Sequence, residues 1–211
     1  METPSVHLKN DERKLDKSTL PWIVLGVIIV GIAGYTLWST FQTNSETTSE
    51  TVSVSVPDFS LVNQQDRPIE LSDLKGKIWI ADFIFTHCPT ICPIMTEEMA
   101  KLQSEFKEEP VYFVSFTVDP ERDTPDVLTR YAVKYGADQE RWHFLTGEKE
   151  QIYQLANEGF KLAAADHGGG FPHSTRFALV TPDGYIHDYY DSRSKPMMNN
   201  LREDVKALLK K

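Results

Sequence analysis

The chain has 211 residues, of which 40% are hydrophobic and 25% are charged. This balance is typical of a folded domain, and it argues against both a disordered chain and a membrane protein with several spans. The formal net charge of −9 argues against nucleic acid as a partner, because a polyanion requires clustered Lys and Arg that this sequence lacks. The length accommodates one domain with accessory segments.

An apolar stretch at residues 20–38 contains 19 uncharged residues, enough for a helix of about 28 Å that crosses a bilayer core. Four basic residues precede it and none follows before Arg67, so the positive-inside rule predicts a cytoplasmic N-terminus. Its length and the lack of an A-x-A site favour an uncleaved anchor over a signal peptide. We therefore predict a single-pass protein of the cell membrane, with a cytoplasmic tail (1–19), a transmembrane anchor (20–38), a flexible linker (39–55) and an extracytoplasmic domain (56–211).

The predicted domain opens with alternating strands and helices. An almost continuous apolar run, KIWIADFIF at residues 77–85, predicts a central strand buried on both faces. Apolar residues then recur at spacings of four, three and four from Met95 to Phe106, which predicts a helix that begins near Pro93. Residues 111–118 repeat the buried-strand pattern. Such strand–helix–strand units form crossovers between parallel strands.

Later segments continue this alternation and then change it. Thr124 and Pro125 provide an N-cap and a first-turn proline for the next helix. The remaining predicted elements are a short strand (142–146), a helix (152–159), an antiparallel hairpin (177–180 and 185–190) around a Pro-Asp-Gly turn, and a last helix (201–208). This order is that of an α/β protein with a thioredoxin-like fold. We expect a central, mainly parallel sheet with flanking helices, preceded by the one N-terminal transmembrane helix.

The two cysteines, Cys88 and Cys92, lie between the central strand and the helix after it. Open α/β sheets gather their ligands and reactive groups at this position. Residues four apart on one helical turn lie about 6 Å from each other, which permits either a reversible disulfide or joint coordination of a metal. A second cysteine that opens the helix would face the positive end of the helix dipole, so we predict a lowered pKa for Cys92.

A third metal ligand would come from the six histidines. His143 and His187 fall inside predicted strands, and His87 would point away from the cysteines in an extended backbone. His173 ends the loop DHGGGFPH ahead of the hairpin, where position alone leaves a ligand and an ordinary surface histidine as equal alternatives. Two thiolates and an imidazole suit Cu(I) and also Cu(II), but a three-ligand zinc site remains open.

Three segments together resemble the Sco/SenC family of copper chaperones and cytochrome c oxidase assembly factors: FTHCPTICP, VSFTVDPERDTP and the HST after Pro172. The resemblance covers about residues 56–209 and includes a single N-terminal span. It implies that Cys88, Cys92 and His173 bind a copper ion, as Cu(I) and as Cu(II). Thr90 stands where many members have Asp, which removes a charge beside the site. The acidic loop DPERD also matches, and its charges are candidates for partner docking.

The resemblance implies a membrane-anchored copper metallochaperone that assists assembly of the binuclear copper site of cytochrome c oxidase, with the copper-binding subunit of the oxidase as partner. The alternative is an extracytoplasmic thiol–disulfide oxidoreductase that reduces the cysteines of that subunit, with either Cys88 or Cys92 attacking. Thioredoxins space their cysteines by two residues, so the gap of three residues here favours metal binding. Whether the protein is an enzyme remains open at this point.

Overall fold

The structure is a computed structural model, and it describes residues 31, 32, 35, 54–162 and 174–210. The chain divides into two compact units, Met1–Thr51 and Val52–Lys211. Almost all of the predicted anchor and linker lies outside the described residues. Within the described part of the chain, no helix is both long enough and apolar enough to span a bilayer.

The larger unit begins with two consecutive strands and a short helix, and from Ile78 to Gly159 it alternates strands and helices, as the sequence predicts. Its strands are β1 (Ser60–Asn63), β2 (Pro68–Glu70), β3 (Ile78–Ile84), β4 (Val111–Thr117), β5 (Trp142–Thr146), β6 (Arg176–Val180) and β7 (Ile186–Asp191). Its helices are α1 (Leu71–Leu74), α2 (Ile91–Glu105), α3 (Pro125–Lys134), α4 (Lys149–Gln154) and α5 (Lys195–Leu208), and a π-helical turn (Leu155–Gly159) extends α4.

The seven strands form one mixed sheet in the order β2-β1-β5-β4-β3-β6-β7. β3, β4 and β5 are parallel neighbours, whereas every other neighbouring pair is antiparallel. The prediction of a mainly parallel sheet was therefore wrong. The crossovers through α2 and α3 make the centre parallel, but the short connections of the β1–β2 and β6–β7 hairpins permit only antiparallel pairing at the two edges.

Both faces of the sheet are covered, which explains why all seven residues of β3 are buried. Apolar residues of α2, α3 and α5 pack on the face that carries Ile80 and Ile84. On the opposite face, α1, α4 and the π-helical turn pack against Trp79 and Phe83. The predicted central strand is thus confirmed, and it carries the chain from the middle of the core directly to the cysteine loop.

Local signals in the sequence located most element ends to within two residues. Helix α2 begins at Ile91 rather than near Pro93. Thr124 occupies the N-cap of α3 with Pro125 in the first turn, but the Thr124 side chain makes no capping hydrogen bond. In the β6–β7 hairpin Gly184 adopts φ +82°, a backbone conformation that favours glycine.

Candidate dithiol site

The two cysteines lie at the carboxyl end of the central strand. Cys88 belongs to the loop after β3, the N-cap of α2 is Thr90, and Cys92 is the second residue of α2. Both thiols are free and buried, with exposed fractions of 5% for Cys88 and 3% for Cys92. The strand-to-helix placement that the sequence predicts is therefore confirmed.

The first turn of α2 makes Cys88 the more acidic thiol. The backbone N–H groups that open a helix have no partner within it, and here the N–H of Cys92 donates to Cys88 Sγ at 3.4 Å. Burial raises the pKa of Cys88, but the backbone N–H groups of Cys92, Thr90 and Ile91, together with the Cys92 thiol, outweigh it and lower the pKa overall. Cys88 is therefore the thiol that forms a thiolate more readily.

The Cys92 thiol behaves in the opposite way. It faces the core on the same side of α2 as Met95 and Met99. Burial raises the pKa of Cys92 well above its ordinary value, the Phe85 backbone opposes this in part, and the nearby Cys88 raises it further. The predicted lowering of the Cys92 pKa was therefore wrong. The N–H groups at the start of α2 point towards Cys88, in the loop before the helix, and not towards the Cys92 thiol.

A buried carboxyl near the Cys92 thiol was not predicted from the sequence. Asp82 of β3 is fully buried, and by strand alternation it shares the face of Ile80 and Ile84. Burial raises the pKa of Asp82 to about 7 against a smaller opposing effect of the Ser115 hydroxyl. Within the described residues neither carboxyl oxygen makes a hydrogen bond of normal geometry. The sequence did contain an indication of this buried carboxyl, because Asp82 is the single acid in the apolar run KIWIADFIF.

A second carboxylate, Asp123, holds the cysteine loop in place. Asp123 is completely buried, and its Oδ2 accepts hydrogen bonds from the Thr86 backbone N–H at 3.0 Å and from the Thr117 hydroxyl. The Thr86 hydroxyl donates to the other oxygen. Asp123 was expected as a charge for partner docking, but its burial gives it this structural role. Neighbouring residues of the same loop, Glu121 and Arg122, are exposed.

We expect Asp123→Asn to lower the free energy of unfolding by about 3 kcal/mol, because the amide N–H₂ replaces one carboxylate oxygen, accepts no hydrogen bond and leaves a buried donor of Thr86 or Thr117 unpaired. Urea unfolding of the reduced protein measures this loss. Asp126→Asn, at an exposed position in the first turn of α3, is the matched control and should change stability by less than about 1 kcal/mol. Equal effects of the two substitutions would contradict the role of Asp123 in stabilising the loop.

The structure describes three of the histidines that the sequence analysis considered, and two of them lie in strands as predicted. His143 lies in β5, where burial lowers its pKa, and His187 lies in β7. The His87 side chain is 60% exposed, with Nδ1 3.1 Å from the Thr86 hydroxyl and 3.9 Å from Asp123 Oδ1. His173 lies outside the described residues. Among the residues that are described, no group of three or more His, Cys, Asp or Glu side chains could hold a metal ion.

The structure thus brings together two of the three predicted ligands. Two buried sulfurs, one favoured as a thiolate and one held as a thiol, match soft metal ions better than hard ones. The same pair is also suited to thiol–disulfide exchange, because the acidic thiol can attack and the second can resolve the mixed disulfide. Fold and site define a thioredoxin-like domain with a dithiol at the turn between its central strand and α2.

The chain belongs to the SCO1/SenC family, whose model matches residues 47–210, so the predicted family is confirmed. A SCO1/SenC family lipoprotein from Bacillus anthracis is 38% identical, with a TM-score of 0.68 over 74% of this chain and 96% of its own. BsSco, a member of the Sco family of cytochrome c oxidase assembly proteins in which a disulfide switch was identified, is 37% identical, with a TM-score of 0.67 over 75% and 95%. ScoI of Arabidopsis thaliana, solved with copper bound, is 25% identical, with a TM-score of 0.61 over 72% and 98%.

Proposed function

We propose that this protein is a membrane-anchored copper metallochaperone that assists assembly of the binuclear copper site of cytochrome c oxidase. The observation that carries the proposal is the pair of buried thiols at the carboxyl end of β3, joined by the hydrogen bond from the Cys92 N–H to Cys88 Sγ. Membership of a family that includes a copper-bound structure and oxidase assembly proteins supports it.

Copper is cargo in this proposal. Cys88 and Cys92 bind it as thiolates, and His173 adds an imidazole that extends the site from Cu(I) to Cu(II). Binding releases the thiol protons, and the Cys92 thiol gives up its proton less readily because burial raises its pKa. Thr90 is exposed at the N-cap of α2, so no carboxylate from this position adds charge beside the sulfurs.

The proposed location is the outer face of a cell membrane. The 19 uncharged residues at 20–38 and the basic residues ahead of them support an anchor whose N-terminus is cytoplasmic. The similar Bacillus anthracis protein is a lipoprotein, which supports attachment of the domain to a membrane. The proposed partner is the copper-binding subunit of the oxidase.

We expect His173→Ala to weaken Cu(II) binding by at least about 100-fold, since the variant loses one of three ligands, and to affect Cu(I) less. The measurement is a competition titration of the reduced full-length chain in detergent against a chelator of known affinity. His187→Ala, a partly exposed histidine on β7, is the control and should bind copper as the wild type does. Cu(II) affinity that is unchanged in His173→Ala would exclude the three-ligand site.

A second function, thiol–disulfide exchange, is favoured by the unequal thiols. The Cys88 thiolate attacks a sulfur of a partner disulfide, forms a mixed disulfide and releases one partner thiolate. Cys92 then loses its proton and attacks Cys88 Sγ, which forms the Cys88–Cys92 disulfide and releases the second partner thiolate. The pair is oxidised by two electrons and the partner disulfide is reduced by two. If the protein reduces a disulfide but binds no copper, thiol–disulfide exchange is supported and the metallochaperone is contradicted.

A further inference from the structure

A groove of about 600 Å³ lies beside the cysteine helix. One wall is the exposed side of α2 from Ile94 to Lys101, and the other is formed by Ser192, Arg193 and the first two turns of α5. Ile94 follows Cys92 by only two residues. Residues two apart on a helix point to different sides, so the groove lies along the outer side of α2, whereas Cys92 faces the core.

The charge of the groove is opposite to that of the whole chain. The protein has a formal net charge of −9, yet the groove is lined by one acidic side chain, Glu98, and by four cationic ones: Lys101, Arg193, Lys195 and Arg202. A locally positive surface attracts an acidic segment of another molecule.

Three of these four cations form ion pairs with partly exposed carboxylates, and Arg202 also donates a hydrogen bond to the Met198 carbonyl at 2.8 Å. Lys101 pairs with Glu98, Arg193 with Asp191 at 3.2 Å, and Arg202 with Glu105 at 2.7 Å. Lys195 has no ion pair with any of the described residues. Exposed ion pairs contribute little to stability, so carboxylates of a partner can replace these intramolecular ones at small cost.

The groove also contains an apolar side chain that a peptide would cover. Ile94 is a large hydrophobic side chain that remains 50% exposed, although it lies in the first turn of α2. An aliphatic side chain of a docked peptide that packs on Ile94 would remove this apolar surface from water.

We infer that this groove docks an acidic segment, with at least one aliphatic side chain, of the protein that exchanges copper or electrons with Cys88 and Cys92. The inference rests on the proposed function for the identity of the partner, but the recognition chemistry stands on the groove itself. Docking here would place the partner against the outer side of α2, the helix that carries Cys92.

The test measures binding of a fluorescent peptide, EEELEEE, to the reduced full-length chain in non-ionic detergent at low salt. We expect Lys101→Glu with Lys195→Glu to weaken binding by at least about tenfold. The matched control, Lys75→Glu with Lys107→Glu, changes the net charge equally at exposed lysines that do not line the groove, and binding should stay within about twofold of wild type. Equal losses in the two double variants would overturn the inference.

Ile94→Ser tests the apolar contact separately, because Ile94 is exposed and its loss should leave the fold intact. It should weaken EEELEEE by about tenfold but leave a peptide without the leucine, EEEGEEE, unchanged. Equal effects on both peptides would overturn the apolar part of the proposed site. If the wild type self-associates and the groove variants do not, the groove binds a second copy of this chain. That result would overturn the inference of an acidic partner protein.

Copper titration of the same variants separates this inference from the proposed function. Groove variants that lose the peptide but bind copper as the wild type does support a docking surface distinct from the metal site. A wild-type chain that binds peptide through the groove but binds no copper would contradict the metallochaperone and leave the docking surface standing. A wild type that binds copper but not the peptide would overturn the docking surface alone.

Discussion

Cys92→Ser, which retains Cys88, is expected to react with iodoacetamide at pH 7 at least about 100-fold faster than Cys88→Ser, which retains Cys92. Only the thiolate reacts, and each pKa unit changes the thiolate fraction about tenfold in this range. The pKa of Cys88 is lowered by the N–H groups at the start of α2, whereas burial raises that of Cys92. Exposure does not explain the difference, because both thiols are almost equally buried.

The control for this experiment is the same pair of variants in concentrated urea, where the folded environment is lost and the two rates should become similar. Removal of Cys88 also removes one of the effects that raise the pKa of Cys92, but burial, the largest of them, remains. Equal rates in the folded proteins would contradict the assignment of Cys88 as the attacking thiol. They would leave copper binding by the pair untouched.

The sequence predicted where the cysteines lie but not which one is acidic. Their position followed from the apolar run before them and the helical spacing after them. The direction of the pKa shift depends on which residue the first N–H groups of α2 point at, and this is fixed by the start of the helix at Ile91 and by the turn through Thr90. Periodicity locates a helix start only to within one or two residues, which is too coarse to predict which thiol these N–H groups reach.

The carboxylates show a second limit of sequence reasoning. Asp123 lies 37 residues from Thr86 along the chain, and only the parallel pairing of β3 with β4 brings them together. The loop DPERD therefore resembles an exposed charged turn in sequence, although two of its three acids, Asp119 and Asp123, are buried. One edge of the sheet, β1 with β2, was missed because these strands have only four and three residues and carry no clear alternation, whereas the β6–β7 hairpin at the other edge was predicted.

Asp82→Asn is expected to stabilise the protein by up to about 4 kcal/mol at pH 8 and to change its stability little at pH 4. The side chains have the same shape, but asparagine cannot ionise. The difference in unfolding free energy between variant and wild type, measured by urea unfolding at pH 4, 6 and 8 under reducing conditions, isolates the carboxyl from other groups that titrate in this range. Asp183→Asn, in the exposed hairpin turn, is the control and should show no such trend.

The sign follows from the pKa of Asp82 in the two states, about 7 when folded and 3.8 when unfolded. Below pH 3.8 the carboxyl is protonated in both states and does not affect folding. Between these values only the folded state holds the proton, so stability falls as pH rises, by about 1.4 kcal/mol per unit. Above pH 7 the loss is complete at about 4 kcal/mol, since the folded state then contains a buried carboxylate without a countercharge. A difference between the two proteins that is the same at pH 4 and pH 8 would show that Asp82 ionises as readily in the fold as in the unfolded chain.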